Sequence, residues 1–122
     1  MPAHKLNLKI DQGATFDKVL TWKVGTKAAA AVPVDLTGCT ARAQIREDVE
    51  SSEVLLELTT ENERIQLGGT AGTIRILIDA VTTAAISWES GVYDLEVVFA
   101  NGHVVRRLAG SVSVSKEVTR DG

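Results

Sequence analysis

The chain has 122 residues, 44% of them apolar, and a formal net charge of −3. This length allows one domain to fold without disulfides or metal ions, so we expect a single domain over 1–122, with a flexible loop near 25–38 and a short C-terminal tail. The slight acidity argues against generic nucleic-acid binding, and the single cysteine, Cys39, excludes an intramolecular disulfide. Residues 1–20 hold five charged side chains and no long apolar run, which predicts neither a signal peptide nor a membrane span.

Alternation of apolar and polar residues dominates the first half of the chain and predicts strands with one buried face. Lys18 and Val19 break the alternation, which suggests a bulge or an exposed strand end near 17–19. Residues 25–38 lack a sustained period, and we interpret them as a mobile hairpin tip. The strands predicted here are 5–10, 14–24 and 39–46, with inward side chains Leu6, Leu8, Ile10, Phe16, Leu20, Trp22, Val24, Cys39, Ala41, Ala43 and Ile45.

The second half continues with short strands separated by turn residues. Asp79 is an N-cap residue type and predicts a single helical turn through 80–86. Asn101-Gly102 predicts a hairpin between 92–100 and 103–108. The other predicted strands are 54–60 with Val54, Leu56 and Leu58 inward, a short one around Ile65 and Leu67, 73–78 with Ile74, Ile76 and Ile78 inward, and a last one around Val112 and Val114. Eight or nine short strands at this spacing are typical of an all-β protein, and we predict an antiparallel β-sandwich, immunoglobulin-like or jelly-roll-like.

The charges are segregated along the chain. Residues 1–46 carry a net charge of +4, residues 47–63 a net charge of −7 with no basic side chain, and residues 64–122 a net charge of zero. One interpretation is a complementary patch for self-association, and the other is a solvated rim that keeps a β protein soluble. The candidate assembly interface consists of Glu47, Asp48, Glu50, Glu53, Arg42, Arg46, Arg106 and Arg107.

The pair Arg106-Arg107 leaves two structural alternatives open. Neighbouring side chains on a strand point to opposite faces. Either one arginine faces inward and pairs with an acid such as Asp94, or the strand lies at a sheet edge in an assembly interface.

No constellation for catalysis or for cofactor or metal binding is present in the sequence. His4 and His103 are the only histidines, and Cys39 has the parity of a buried structural thiol. Residues 68–72 are glycine-rich, but they lie between two strands and are explained as a hairpin turn. Trp88 is the one aromatic residue outside the core parities, either a surface for stacking a sugar or a plug of the sandwich. We therefore predict no catalytic residue, no cofactor and no metal.

Several segments together resemble a class of small phage and prophage virion structural proteins and, distantly, the N-terminal β-sandwich domain of phage upper-baseplate proteins. The most specific part is the loop Asp35-Leu36-Thr37-Gly38 with the strand ending Gln44-Ile45-Arg46. The remaining parts are Gln12-Gly13-Ala14-Thr15-Phe16, Gly72-Thr73-Ile74, Ser90-Gly91-Val92-Tyr93-Asp94-Leu95-Glu96-Val97, Gly110-Ser111-Val112-Ser113-Val114 and Glu117-Val118-Thr119-Arg120.

The resemblance implies a non-enzymatic virion component, made in the host cytoplasm and built into the particle in many symmetric copies. We expect a tail, neck or fibre-attachment accessory subunit whose partners are other virion proteins and copies of itself, with no nucleic acid and no membrane. The alternatives are a capsid decoration (cement) protein on the outer head and, third, a carbohydrate-binding module.

Overall fold

The computed structural model describes residues 3–25 and 31–119. Strands take up 51% and helices 7% of these residues, so the all-β prediction is confirmed. The described residues form eleven strands rather than eight or nine: β1 (His4–Lys5), β2 (Leu8–Asp11), β3 (Phe16–Thr21), β4 (Lys23–Val24), β5 (Val32–Pro33), β6 (Thr40–Arg46), β7 (Leu56–Thr59), β8 (Ile65–Leu67), β9 (Thr73–Ile78), β10 (Ser90–Val98) and β11 (Val104–Ser115). A 3₁₀ turn at Gly69–Ala71 and the short helix α1 (Ala80–Ala84) complete the elements.

The strand count differs because the predicted boundaries were wrong in both directions. The predicted strands 5–10 and 14–24 are each divided in two, and β5 was not predicted. Conversely, 103–108 and the last predicted strand form the single strand β11. Period-2 patterns continue across such interruptions and bulges, so alternation alone does not locate strand ends.

The strands form two main sheets and a separate ribbon. In the large sheet the order is β1-β11-β10-β6-β7, with β2 also paired to β11; the small sheet has the order β3-β9-β8, and β4 pairs with β5 as a ribbon. The predicted antiparallel pairing holds for six of the eight strand pairs described, whereas β1 and β2 run parallel to β11. Parallel neighbours need a long crossover connection, and almost the whole chain lies between these strands.

The segment that joins β1 to β2 lies close against β11. Leu6 N donates to Ala109 O at 2.9 Å, and the buried hydroxyl of Tyr93 donates to Leu6 O at 2.6 Å. A Cβ atom on Gly110 would lie 2.3 Å from Leu6 O, so only glycine allows this approach. Asn7 Oδ1 also accepts from Ser111 N at 3.0 Å, which holds the first strands along the edge of the large sheet.

Both sheets contribute to one hydrophobic cluster. Its members come from alternate positions along the strands: Leu8, Ile10, Ala41, Ala43, Ile45, Leu58, Ile65, Ile74, Ile76, Ile78, Tyr93, Leu95, Val97, Leu108 and Val112, together with Leu36 and Ile86 from the connections. The predicted inward residues of 73–78, and most of those of 5–10 and 39–46, are among them. Two predicted inward residues are corrected, because Val24 lies on the free ribbon and Val54 precedes β7, and both are exposed. Phe16, Trp22 and Cys39 are only partly buried against the cluster.

β3 lies at the edge of the small sheet, which explains the irregular pattern at Lys18 and Val19. Its register with β9 is continuous, so there is no bulge, and both side chains are exposed. Lys18 has the inward parity yet reaches solvent from this edge. A lysine on the inner parity of an edge strand disfavours pairing with further strands.

Three predicted local features are confirmed. Asp79 caps α1 by accepting a hydrogen bond from Thr82 N at 2.9 Å. β10 and β11 form the predicted hairpin, and Gly102 takes a left-handed conformation with φ of 89° in its turn. β8 and β9 pair as antiparallel neighbours around residues 68–72.

The loop predicted near 25–38 lies partly outside the described residues, because 26–30 are not among them, and the C-terminal tail at 120–122 also lies outside. On either side of 26–30 the chain forms the ribbon of β4 and β5. Leu36 is then buried, and its N–H donates to Gly69 O at 2.9 Å.

Candidate assembly surface

The outward face of the large sheet carries a ladder of paired charges. The register places Arg42 of β6 opposite Glu96 of β10, and Glu96 opposite Arg106 of β11. Arg42 Nε lies 2.9 Å from Glu96 Oε1, and Arg106 Nε lies 3.4 Å from Asp94 Oδ2. These cross-strand pairs are exposed and therefore contribute little to stability. They do neutralise two of the arginines predicted to meet an acidic partner.

Arg46 organises the loop of residues 47–53, which we call the acidic loop. Its Nη1 donates to Ser51 O at 2.8 Å, and its Nη2 donates to Gln44 Oε1 at 2.7 Å. Within the loop, Glu50 N donates to Asp48 Oδ1 at 2.9 Å. The third predicted arginine therefore has a structural role, because it fastens the acidic loop to the end of β6.

The four acids predicted for the interface all lie on this loop and are exposed: Glu47, Asp48, Glu50 and Glu53. The ion pairs found among residues 3–25 and 31–119 involve none of them. A carboxylate without an internal cation is available to a cation on a partner. The four acidic residues of the predicted interface are thus exposed to solvent and form no ion pair with a basic residue of the described chain.

Arg107 is separated from the other predicted residues. The register between β10 and β11 shifts at Leu95/Glu96, and Arg107 is the extra residue of this bulge. Its guanidinium carbon lies 5.0 Å from the centre of the Trp22 ring, which itself meets Phe99 edge-on at 6.0 Å. Burial lowers the pKa of Arg107. Arg107 thus faces inward, as one alternative for the arginine pair had it, but Asp94 pairs with the outward Arg106. Around this pair β11 is bonded to β10 alone among the described strands, so this stretch also lies at a sheet edge.

An apolar groove, which was not predicted, lies between the start of β7 and α1. It has a volume of about 740 Å³. Glu53 and the hydroxyl residues Thr82 and Ser87 contribute to its lining. The rest of the lining is apolar and consists of Val54, Leu55, Leu56, Val81, Ala85, Ile86 and Trp88. Trp88 packs partly buried against the hydrophobic cluster and also lines this groove. The only sequence signal was Trp88 itself, since finding the groove requires knowing that β7 and α1 lie side by side.

Residues with potential chemistry elsewhere are few in the described part of the chain. Burial, reinforced by the nearby charge of Asp35, raises the pKa of the Cys39 thiol, which makes it a weaker nucleophile at neutral pH. Residues 3–25 and 31–119 contain no cluster of three or more His, Cys, Asp or Glu side chains able to hold a metal ion. Nor do they contain a helix long and apolar enough to span a bilayer.

Neither a protein-family model nor a curated protein matches this chain.

Proposed function

We propose that this chain is a non-enzymatic structural subunit of a bacteriophage virion, an accessory protein of the tail, neck or fibre-attachment region. The observation that carries the proposal is the acidic loop. Arg46 holds it in place, yet its four acidic side chains are exposed and form no ion pair within residues 3–25 and 31–119. An ordered, uncompensated charge cluster beside a neutralised sheet face suits docking onto a basic partner. The family resemblance of the sequence supports a virion as the setting.

We further propose that the two main sheets face each other as an immunoglobulin-like or jelly-roll-like β-sandwich. Their inward residues belong to one hydrophobic cluster, and both sheets bury alternate positions along their strands. Packing of two sheets across a shared core is the arrangement that this burial pattern favours.

The partners proposed are other virion proteins and further copies of this chain, assembled in the host cytoplasm. The acidic loop would be repelled by the phosphates of a nucleic acid, so the surface suits a protein partner. No membrane contact enters the proposal.

The proposal is tested by measuring copy number in purified particles of the encoding phage. Quantitative mass spectrometry against the major capsid protein should find this chain at tens of copies or fewer per particle. A number close to that of the capsid protein would replace the tail assignment by capsid decoration. Absence from particles would refute a virion role, and binding to host glycans that is lost in Trp88→Ala would then favour a carbohydrate-binding module.

A further inference from the structure

Residues of both main sheets line a small pocket that contains the side chain of Arg107, and we call it the Arg107 pocket. β1 and β11 of the large sheet supply one part of its lining, and β3 and β9 of the small sheet supply another. Its volume is about 120 Å³. Pockets for drug-sized ligands begin at roughly 300 Å³, so this one suits a single functional group with a short tail.

Arg107 brings to this pocket a positive charge that no acid of the described chain pairs with. Arg42, Arg75 and Arg106 each lie beside a carboxylate, whereas the ion pairs within residues 3–25 and 31–119 leave Arg107 out. The described residues that line the pocket include no Asp or Glu. Burial lowers the pKa of Arg107, because a charge withdrawn from water is disfavoured. A bound anion would offset this loss of hydration.

The contact with Trp22 leaves the hydrogen-bond donors of Arg107 available. Its guanidinium carbon lies 5.0 Å from the centre of the Trp22 ring. A guanidinium meets an aromatic ring through its face, whereas its five N–H donors point outward in its own plane. Arg107 is also the extra residue of the bulge in β11, and bulges often redirect a side chain towards a binding site. A carboxylate can then accept two parallel hydrogen bonds while Trp22 holds the guanidinium in position.

The apolar side chains of the pocket favour a carboxylate that carries a hydrocarbon chain. Leu20 and Ile74 are directly opposite each other on β3 and β9, and Leu108 lies on β11. A short hydrocarbon chain would leave water when it packs on these side chains. Inorganic phosphate is polar on all sides and would place oxygen atoms against them without hydrogen bonds.

We infer that the Arg107 pocket binds a short-chain aliphatic carboxylate. The guanidinium of Arg107 donates to the carboxylate, and the hydrocarbon chain packs on Leu20, Ile74 and Leu108. This site goes beyond the proposed function, because it holds a small ligand and involves none of the residues of the acidic loop.

An NMR titration of the isotope-labelled chain with sodium butyrate at constant ionic strength tests the site. The chain has two tryptophans, and Trp88→Phe identifies which indole N–H signal belongs to Trp22. The Trp22 signal should shift and saturate with a Kd on the order of 1 mM, as expected of so small a ligand. The Trp88 signal should shift much less, because Trp88 lines the apolar groove and not this pocket. Butyramide, which has a similar shape but no charge, should bind at least about tenfold more weakly.

Variants and other anions separate the charge from the apolar contact. Arg107→Gln should weaken butyrate binding at least about tenfold. Arg75→Gln is the matched control, because it removes the same charge from a side chain outside the pocket. Acetate should bind more weakly than butyrate, by roughly fourfold for each CH₂ group removed. Inorganic phosphate should also bind more weakly than butyrate.

The inference is overturned if butyrate leaves the Trp22 signal unmoved, if butyramide or phosphate binds as tightly as butyrate, or if Arg75→Gln weakens binding as much as Arg107→Gln. The comparison of butyrate with butyramide uses the wild type, so it decides the question even where Arg107→Gln does not fold. These outcomes are separate from those of the particle measurement. A chain that is found in particles but does not bind butyrate keeps the proposed function and loses this site.

Discussion

At the scale of single residues, Tyr93 links the start of the chain to the core. Its ring is buried in the large sheet, and its hydroxyl donates to Leu6 O. Burial raises the pKa of Tyr93 to about 12, from an ordinary value of 10.0. Between these values the unfolded chain loses the phenolic proton while the folded protein keeps it. The contribution of Tyr93 to stability is therefore complete below pH 10 and lost as the pH rises towards 12.

We predict that this loss amounts to about 2–3 kcal/mol, since one unit of pKa corresponds to about 1.4 kcal/mol. Tyr93→Phe should be less stable at neutral pH by about 1 kcal/mol, because Leu6 O loses a hydrogen bond. The free energy of unfolding of Tyr93→Phe should not show the decline towards high pH that ionisation of the Tyr93 phenol causes in the wild type. Urea unfolding of both proteins at about pH 9 and about pH 11.5 checks this. An equal decline in both proteins would show that Tyr93 is not its source.

The residues of the predicted assembly interface also differ from one another in their contacts. Its four acids and four arginines have different environments, because Arg42 and Arg106 are paired on their own sheet, Arg46 holds the acidic loop and Arg107 stacks on Trp22. Arg42 alternates with the predicted inward residues Ala41 and Ala43, and it lies on the outward face with Glu96. The alternation could not show that they face each other, since their pairing joins strands more than fifty residues apart.

At the scale of elements, the approach of β1 and β2 to β11 depends on Gly110. We predict that Gly110→Ala destabilises the protein by about 1–3 kcal/mol, because the added Cβ meets Leu6 O, a backbone atom that cannot rotate away. The amide hydrogens of Leu8 and Ile10 should exchange with solvent more rapidly, and those of β9 should change less. Ser113→Ala, an exposed change on the same strand, is the control. Equal protection of β2 in both variants would contradict this role of Gly110.

Elements with strong local sequence signals were predicted well, whereas contacts between segments that are distant in the sequence were not. The Asp79 cap and the Asn101-Gly102 turn depend on contacts within a few residues, so their sequence patterns suffice. The parallel pairing of β1 and β2 with β11, the bulge at Arg107 and the apolar groove depend on contacts between distant segments. Hydrophobic alternation gives the buried face of a strand but not its partner.

At the scale of the whole molecule, the two ends of the small sheet differ in the charge and the apolar surface that lie beside them. One end carries the apolar groove, with the acidic loop at its rim, and the other carries the ribbon with Lys23. The net charge of −3 conceals a separation along the sequence into +4, −7 and zero, and the acidic loop holds four of the seven acids of the middle segment.

The acidic loop as the docking element is tested most directly by incorporation of variants into particles. Phage lacking this gene is supplied with the wild type, with Glu50→Lys/Glu53→Lys, or with Glu61→Lys/Glu63→Lys, which makes the same change of charge at the turn after β7. All three purified chains should unfold at similar temperatures, because these side chains are exposed. We predict that incorporation falls at least about tenfold for the first variant alone, which corresponds to about 1.4 kcal/mol of lost contact. Equal incorporation of all three chains would contradict the acidic loop as the surface through which this protein is assembled.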